Sequence, residues 1–253
     1  MREVKIGKHR LKIYDAIEEL PIVRYHKFNK FVLIDAHIGS SIQEFDMHLE
    51  KTSRYIANGK LDLAGKELQN LRQNVFFIQN ELSPQLMSLA VLVYSIDDKE
   101  VGPPTDENLA GVTKFFEGLS VKEFQSIYSE VKKKLETELQ TYFPSLFDSS
   151  SIKEYYNKLR ERVILLLEDL GKEEKENREK IAQLADELIL YTDPLIFSGS
   201  QGIEVQQDRQ FENTCLVISQ NIGTDPKKFS VLEYYNALFF LQEQSKKNKT
   251  RKK

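Results

Sequence analysis

The 253-residue sequence predicts an all-α protein, a multi-helix bundle that begins with a small β-hairpin. One observation is a repeated helix-start signal, in which a serine hydroxyl accepts from the backbone amide three residues later and a glutamate there accepts from the serine amide. The other is that apolar residues recur at helical spacing after each signal. The signal occurs as Ser41 with Glu44, Ser120 with Glu123, Ser151 with Glu154, and Ser230 with Glu233.

The first hundred residues predict a β-hairpin followed by four helices. Apolar residues alternate on both sides of Gly7 and Lys8, as in two short strands joined by a tight turn. Pro21 suits the start of the first helix, and Gly39 ends it. The third helix carries apolar residues at helical spacing, and the fourth is apolar on nearly all sides, which is typical of a buried central helix. The helices are predicted over residues 21–36, 42–57, 61–82 and 84–94.

The remaining chain is predicted to form two further helical units and a tail. A Gly-Pro-Pro run lies in the stretch 97–105, which we interpret as an internal boundary. The last eight residues hold six positive charges on a chain of net charge −3, so the remainder is acidic and the tail is expected to be disordered. The predicted units are an N-terminal helical docking module (1–100), a central helical module (104–192), a C-terminal helical hairpin (209–245) and the basic tail (246–253).

The sequence lacks the patterns of familiar catalytic, cofactor and metal sites. It has neither a glycine-rich phosphate loop nor a His-Glu-x-x-His motif. Two Asp-x-His pairs end at His37 and His48, but a glycine and two serines break the helix between them, so we do not expect a shared metal. Cys215 lies in an apolar helical segment and is predicted to be a small buried hydrophobe. The most apolar stretch, residues 86–94, is too short to span a membrane. We therefore expect a protein that is not an enzyme and holds no cofactor or metal.

Aromatic and basic residues are the sharpest feature that remains. One interpretation of these residues is ordinary core, and the other is a surface that binds a partner protein through aromatic anchors. On the first helix we expect Phe28 to be core, whereas Arg24 and Tyr25 contact the partner. The candidate partner-binding residues are Arg24, Tyr25, Phe28, Phe31, Tyr234 and Tyr235.

Nucleic-acid binding is the alternative function. The C-terminal hairpin has the helix-turn-helix outline, but its second helix offers Leu, Tyr and Phe where base reading needs Arg, Lys, Asn or Gln. That helix is predicted to present a packing face, so only the basic tail would make weak, nonspecific contact with phosphates. An enzyme whose site is assembled from distant residues is the third alternative.

Two segments resemble known proteins. Residues 13–35 (IYDAIEELPIVRYHKFNKFVLID) and 39–46 (GSSIQEFD) resemble uncharacterised proteins of tailed bacteriophages and prophages of gut Bacteroidetes. Residues 221–226 (NIGTDP) and 232–238 (LEYYNAL) resemble the closing hairpin of small helical phage tail-assembly and virion proteins. The resemblance implies a non-enzymatic tail-assembly, neck or virion-associated protein. It also implies an oligomeric assembly with other phage structural proteins, in the virion or in the host cytoplasm during assembly.

Overall fold

The computed structural model describes residues 1–116, 118–147, 150–170, 177–191, 194–197 and 202–250. The described residues form four strands, β1 (Arg2–Ile6), β2 (His9–Ile13), β3 (Val93–Ile96) and β4 (Lys99–Glu100). They also form ten α-helices: α1 (Ile22–His37), α2 (Ile42–Ala57), α3 (Leu61–Gln79), α4 (Pro84–Val91), α5 (Asp106–Phe116), α6 (Val121–Tyr142), α7 (Ser150–Glu168), α8 (Arg178–Tyr191), α9 (Ile203–Ile222) and α10 (Val231–Thr250). The predicted multi-helix class is confirmed.

The four strands form one antiparallel sheet in chain order, which extends the predicted hairpin by two strands. Gly7 starts the turn between β1 and β2 at φ +57°, a backbone conformation that glycine adopts without strain. Asp97 and Asp98 join β3 to β4, and both have the positive φ that a type I′ turn requires. The Asp97 carboxylate accepts from the Arg10 backbone amide at 2.9 Å, so the turn is fixed to the neighbouring strand.

The fourth predicted helix is shorter than expected. α4 ends at Val91, and the chain then continues as β3, whose Ile96 lies opposite Leu11 of β2. β-Branched and aromatic residues favour a strand when a partner edge is present. The apolar run alone did not show this, because a short buried strand and a buried helix look alike in sequence. The buried position of α4 was predicted correctly.

Residues from all three predicted helical units share one apolar core. Leu11 of β2, Leu135 of α6 and Val231 of α10 belong to the same buried cluster. The Ile22 amide donates to the Phe229 carbonyl at 2.9 Å, which ties the start of α1 to the C-terminal hairpin. The segments on the two sides of the predicted boundary after residue 100 therefore contribute to the same core.

Three of the four predicted capping boxes form. Ser41 and Ser120 each make both hydrogen bonds of the motif with their glutamates. Ser230 does the same at the start of α10. The fourth box was predicted at Ser151, whose side chain lies outside the described part of the structure, so this box stays a prediction, and α7 itself begins at Ser150. The sequence has a run of serines there, so spacing alone does not select the first helical residue.

The C-terminal hairpin is longer than predicted at both ends. α9 begins at Ile203, before the predicted start at residue 209. α10 continues to Thr250, so residues 246–250 are helical where the sequence predicted a disordered tail. Lysine is a good helix former, and its charge is favourable near a helix C-terminus, which explains the extension. Residues 251–253 lie outside the described part of the chain.

Candidate functional site

Arg24, which the sequence predicted to contact a partner, is bound inside the chain. It is 6% exposed, and its Nη1 donates to the Val91 carbonyl at 2.6 Å. Val91 is the last residue of α4, so the guanidinium caps a helix end that has no intrahelical donor. Arg24 also donates to the Gly102 carbonyl and lies 5.7 Å from the centre of the Tyr14 ring. Burial lowers the pKa of the guanidinium. Arg24 is therefore a structural residue.

The predicted aromatic anchors also belong to the protein's own packing. Tyr25 and Tyr234 are buried, and burial raises the pKa of both hydroxyls. Phe28 is buried, as predicted, whereas Phe31 and Tyr235 are partly buried against the core. Tyr25, Tyr234 and Tyr235 line a cavity of about 290 Å³ between α1, α9 and α10. The expectation that Tyr25 contacts a partner is corrected, since its ring is buried and faces α9 and α10 of the same chain.

A polar cluster lies between α2 and α3. His48 Nδ1 is 2.6 Å from Glu67 Oε1, and both side chains are almost fully buried. His48 Nε2 is 2.9 Å from the Ile38 carbonyl oxygen, where the Asn74 amide also donates at 2.9 Å. Because residues from both helices and from the end of α1 meet at these bonds, the cluster fixes how the two helices pair.

A cavity of about 260 Å³ opens beside this cluster, between the α2–α3 pair and the α7–α8 pair. Its wall includes Asn70, which is 2% exposed and whose Oδ1 has no hydrogen-bond partner in the described structure. Burial and the Lys51 charge lower the pKa of His37, which also lines it. The His48 ring acts on His37 in the same direction as Lys51. Within the described residues, however, no group of three or more His, Cys, Asp or Glu side chains is placed to hold a metal.

The opposite side of the α2–α3 pair is apolar and exposed. We call it the α2–α3 face, and it consists of Ile42, Leu49 and Ile56 on α2 with Leu61, Leu68 and Val75 on α3. Ile42 is 69% exposed, Leu61 is 68% exposed and Leu68 is 49% exposed. Leu49 and Ile56 are also exposed, and Val75 is partly buried. Each row repeats every seven residues, so each follows one side of its helix.

Helix geometry places both rows on the same side of the pair. Leu49 follows His48, and Leu68 follows Glu67, so each leucine is rotated about 100° from its buried neighbour. The two helices are antiparallel neighbours joined by a short turn at Gly59, and His48 faces Glu67 between them. A two-fold axis perpendicular to the plane of two antiparallel helices relates one helix to the other. Side chains rotated by the same angle from the two facing residues therefore project on the same side of the pair. The two rows therefore form one continuous surface.

α3 buries polar side chains and leaves large apolar side chains exposed. It buries Glu67, Asn70 and Asn74 against the body of the protein and exposes Leu61 and Leu68. Sequence reasoning identified apolar residues at helical spacing on α3 but did not predict that part of this row is exposed. The seven-residue spacing on both helices was the signal in the sequence, since that spacing is typical of helices that pair with other helices.

Among the described residues, no helix combines the length and the apolar character that crossing a bilayer requires. Comparison with protein-family models, curated proteins and solved structures gives no significant match. The geometry above and the resemblance of the two sequence segments are the basis for a functional assignment.

Proposed function

We propose that the protein is a non-enzymatic assembly or structural protein of a tailed bacteriophage, and that it acts through protein–protein contact at the α2–α3 face. Its partners are other phage structural proteins in an oligomeric assembly. It acts in the host cytoplasm during assembly or as part of the virion.

The exposed apolar row of α3, on a helix that buries polar side chains, is the observation that carries the proposal. A helix of a monomer normally turns its apolar side inward. Here the inward side holds the Glu67 and Asn74 hydrogen bonds, and Leu61 and Leu68 remain in water. The exposed fractions of the face leave on the order of 600 Å² of apolar surface open, the upper end of what monomers show. Contact with another protein removes such a surface from water.

The resemblance to phage proteins supports the setting. Its N-terminal segment contains the start of α1, and its last segment, 232–238, begins one residue after the start of α10. These starts pack together, because Pro21 and Ser230 form a backbone bridge and the Val231 amide donates to the Leu20 carbonyl at 2.9 Å. The resembling segments therefore form one structural unit, and the α2–α3 pair extends directly from it.

Genetic complementation in a phage that carries this gene tests the proposal. Deletion of the gene should abolish infectious particles, and electron microscopy of the lysate should show incomplete particles. The wild-type gene supplied from a plasmid should restore them. The double variant Leu49→Glu/Leu68→Glu should not, because two carboxylates would then be buried unpaired in the contact.

Leu216→Glu/Val217→Glu is the matched control, since both residues are exposed on α9 outside the face. It adds the same charge and should restore particles as the wild type does. Normal particles without the gene would refute the assembly role. Full rescue by the Leu49→Glu/Leu68→Glu variant would refute the role of the face.

A further inference from the structure

We infer that the α2–α3 face binds a second copy of the same chain, so that two α2–α3 pairs close into a four-helix bundle. This inference rests on the proposed function and names the first partner of the face. The argument comes from the shape of the face, its area and the charges along its edges.

The shape of the face is suited to its own copy. The α2 row from Ile42 to Ile56 and the α3 row from Leu61 to Val75 each span two heptads, about 21 Å at 1.5 Å per residue. Side by side, the two rows form a flat apolar stripe whose α2 half and α3 half have the same length and width. Heptad rows pack as knobs into holes at a small crossing angle, which is the geometry of four-helix bundles.

The area of the face is close to what a dimer needs. Standard protein interfaces bury about 800 Å² on each partner, and the exposed apolar part of the face provides on the order of 600 Å² of this before its polar edges are counted. The stripe itself contains no charged side chain. Pairing two copies therefore buries no unpaired charge at its centre.

The edge charges select the arrangement of the two copies. Asp46 lies on the outer edge of the α2 row and Arg72 on the outer edge of the α3 row, and both are exposed. Neither forms an ion pair within the described residues. A two-fold axis parallel to the helices places α2 of one copy on α3 of the other, and Asp46 then lies within about one helical turn of the partner's Arg72. A two-fold axis that lies in the interface but is perpendicular to the helices would place α2 on α2. It would bring the two α2 edges that carry Asp46 together.

The mass of the purified full-length chain in solution tests the inference. Light scattering after size exclusion, at about 50 µM chain and so well above a Kd of about 1 µM, should give twice the 29.5 kDa chain mass. Leu68→Glu should weaken self-association roughly 100-fold or more, because a charge would enter the apolar centre. Circular dichroism should stay unchanged, since Leu68 is half exposed in the single chain. Leu216→Glu should remain dimeric.

Charge reversal tests the arrangement. Asp46→Arg should weaken the dimer by bringing two positive edges together, and Asp46→Arg/Arg72→Asp should restore it. A wild-type monomer at this concentration, a higher oligomer, or a Leu68→Glu variant that stays dimeric would overturn the inference. Failure of the double reversal to recover the dimer would overturn the α2-on-α3 arrangement.

The two proposals fail in different ways. If the wild-type chain is monomeric but Leu49→Glu/Leu68→Glu blocks particle assembly, the face binds a different phage protein and only the second-copy inference is wrong. If the chain is dimeric through the face but the phage assembles without its gene, the dimer stands and the proposed function is wrong.

Discussion

Replacement of Arg24 by methionine should destabilise the protein, because Arg24 connects three segments from inside the fold. The substitution keeps a long apolar side chain and removes the guanidinium that donates to Val91 and Gly102. Loss of the buried bond to Val91 leaves a carbonyl at the end of α4 unsatisfied, which costs about 1–3 kcal/mol. Loss of the contact with the Tyr14 ring costs about 0.5–1 kcal/mol more.

A partly compensating gain comes from no longer burying a charge, which is the effect that lowers the pKa of Arg24. The net loss in the free energy of unfolding should be about 2 kcal/mol, or roughly 4–8 °C in the melting temperature of a chain of this size. Urea unfolding followed by far-UV circular dichroism at pH 7 measures it, with the urea dependence expected to be unchanged.

Arg2→Met is the matched control. Arg2 Nη1 lies 2.7 Å from Glu130 Oε2 in an exposed ion pair, and such pairs contribute about 0.5 kcal/mol or less. An Arg24→Met variant as stable as Arg2→Met would refute the structural role. The buried hydrogen bonds of Arg24 would then contribute no net stability.

Three further expectations follow from named groups. Burial acts to raise the Asp15 pKa, but Lys134, at 2.8 Å, and the N-terminal amine, at 3.4 Å, together outweigh burial and hold the pKa below its ordinary value. Asp15 therefore stabilises the fold above an unfolded-state pKa of about 4 and loses this contribution as pH falls through the folded-state pKa. Asp15→Asn should be less stable than the wild type at pH 7, and the difference should shrink as pH falls below about 4. Urea midpoints that differ by the same amount at pH 7 and at about pH 3 would contradict this. Burial raises the pKa of the Cys215 thiol to about 11, so iodoacetamide at about pH 8 should label it only after denaturant is added. Fast labelling of the native chain would show that the thiol is accessible to solvent in the folded protein. Removal of residues 246–253 should change the melting temperature by less than about 2 °C and abolish any salt-dependent DNA binding, whereas DNA binding that persists without them would place the contact elsewhere.

The polar interior of the α2–α3 pair gives its exposed face a defined shape. Apolar residues in place of His48 and Glu67 would pack without burying polar groups, but they would fix the pairing of the helices less specifically. The bonds between His48, Glu67 and the Ile38 carbonyl hold one register. A fixed register keeps Leu49 and Leu68 level with each other, so the exposed face has a defined shape before any partner binds.

The sequence by itself determined the helical class and most helix starts. Ser41, Ser120 and Ser230 could be identified because a capping box joins residues only three positions apart. Gly7 fixed a turn for the same local reason. The burial of Cys215 could also be predicted, since an apolar helical segment buries a small thiol wherever the segment packs.

The tertiary structure decided which side of each element faces water. Residues 93–96 became a strand because the edge of β2 was free to pair with them. The apolar row of α3 faces outward because Glu67, on the inward side of the helix, contacts His48 of α2. Arg24 points inward because it donates to the Val91 carbonyl at the end of α4. Each of these partners lies 19 or more residues away along the chain. Local spacing shows that a helix has two different sides, but only long-range contacts decide which side is covered.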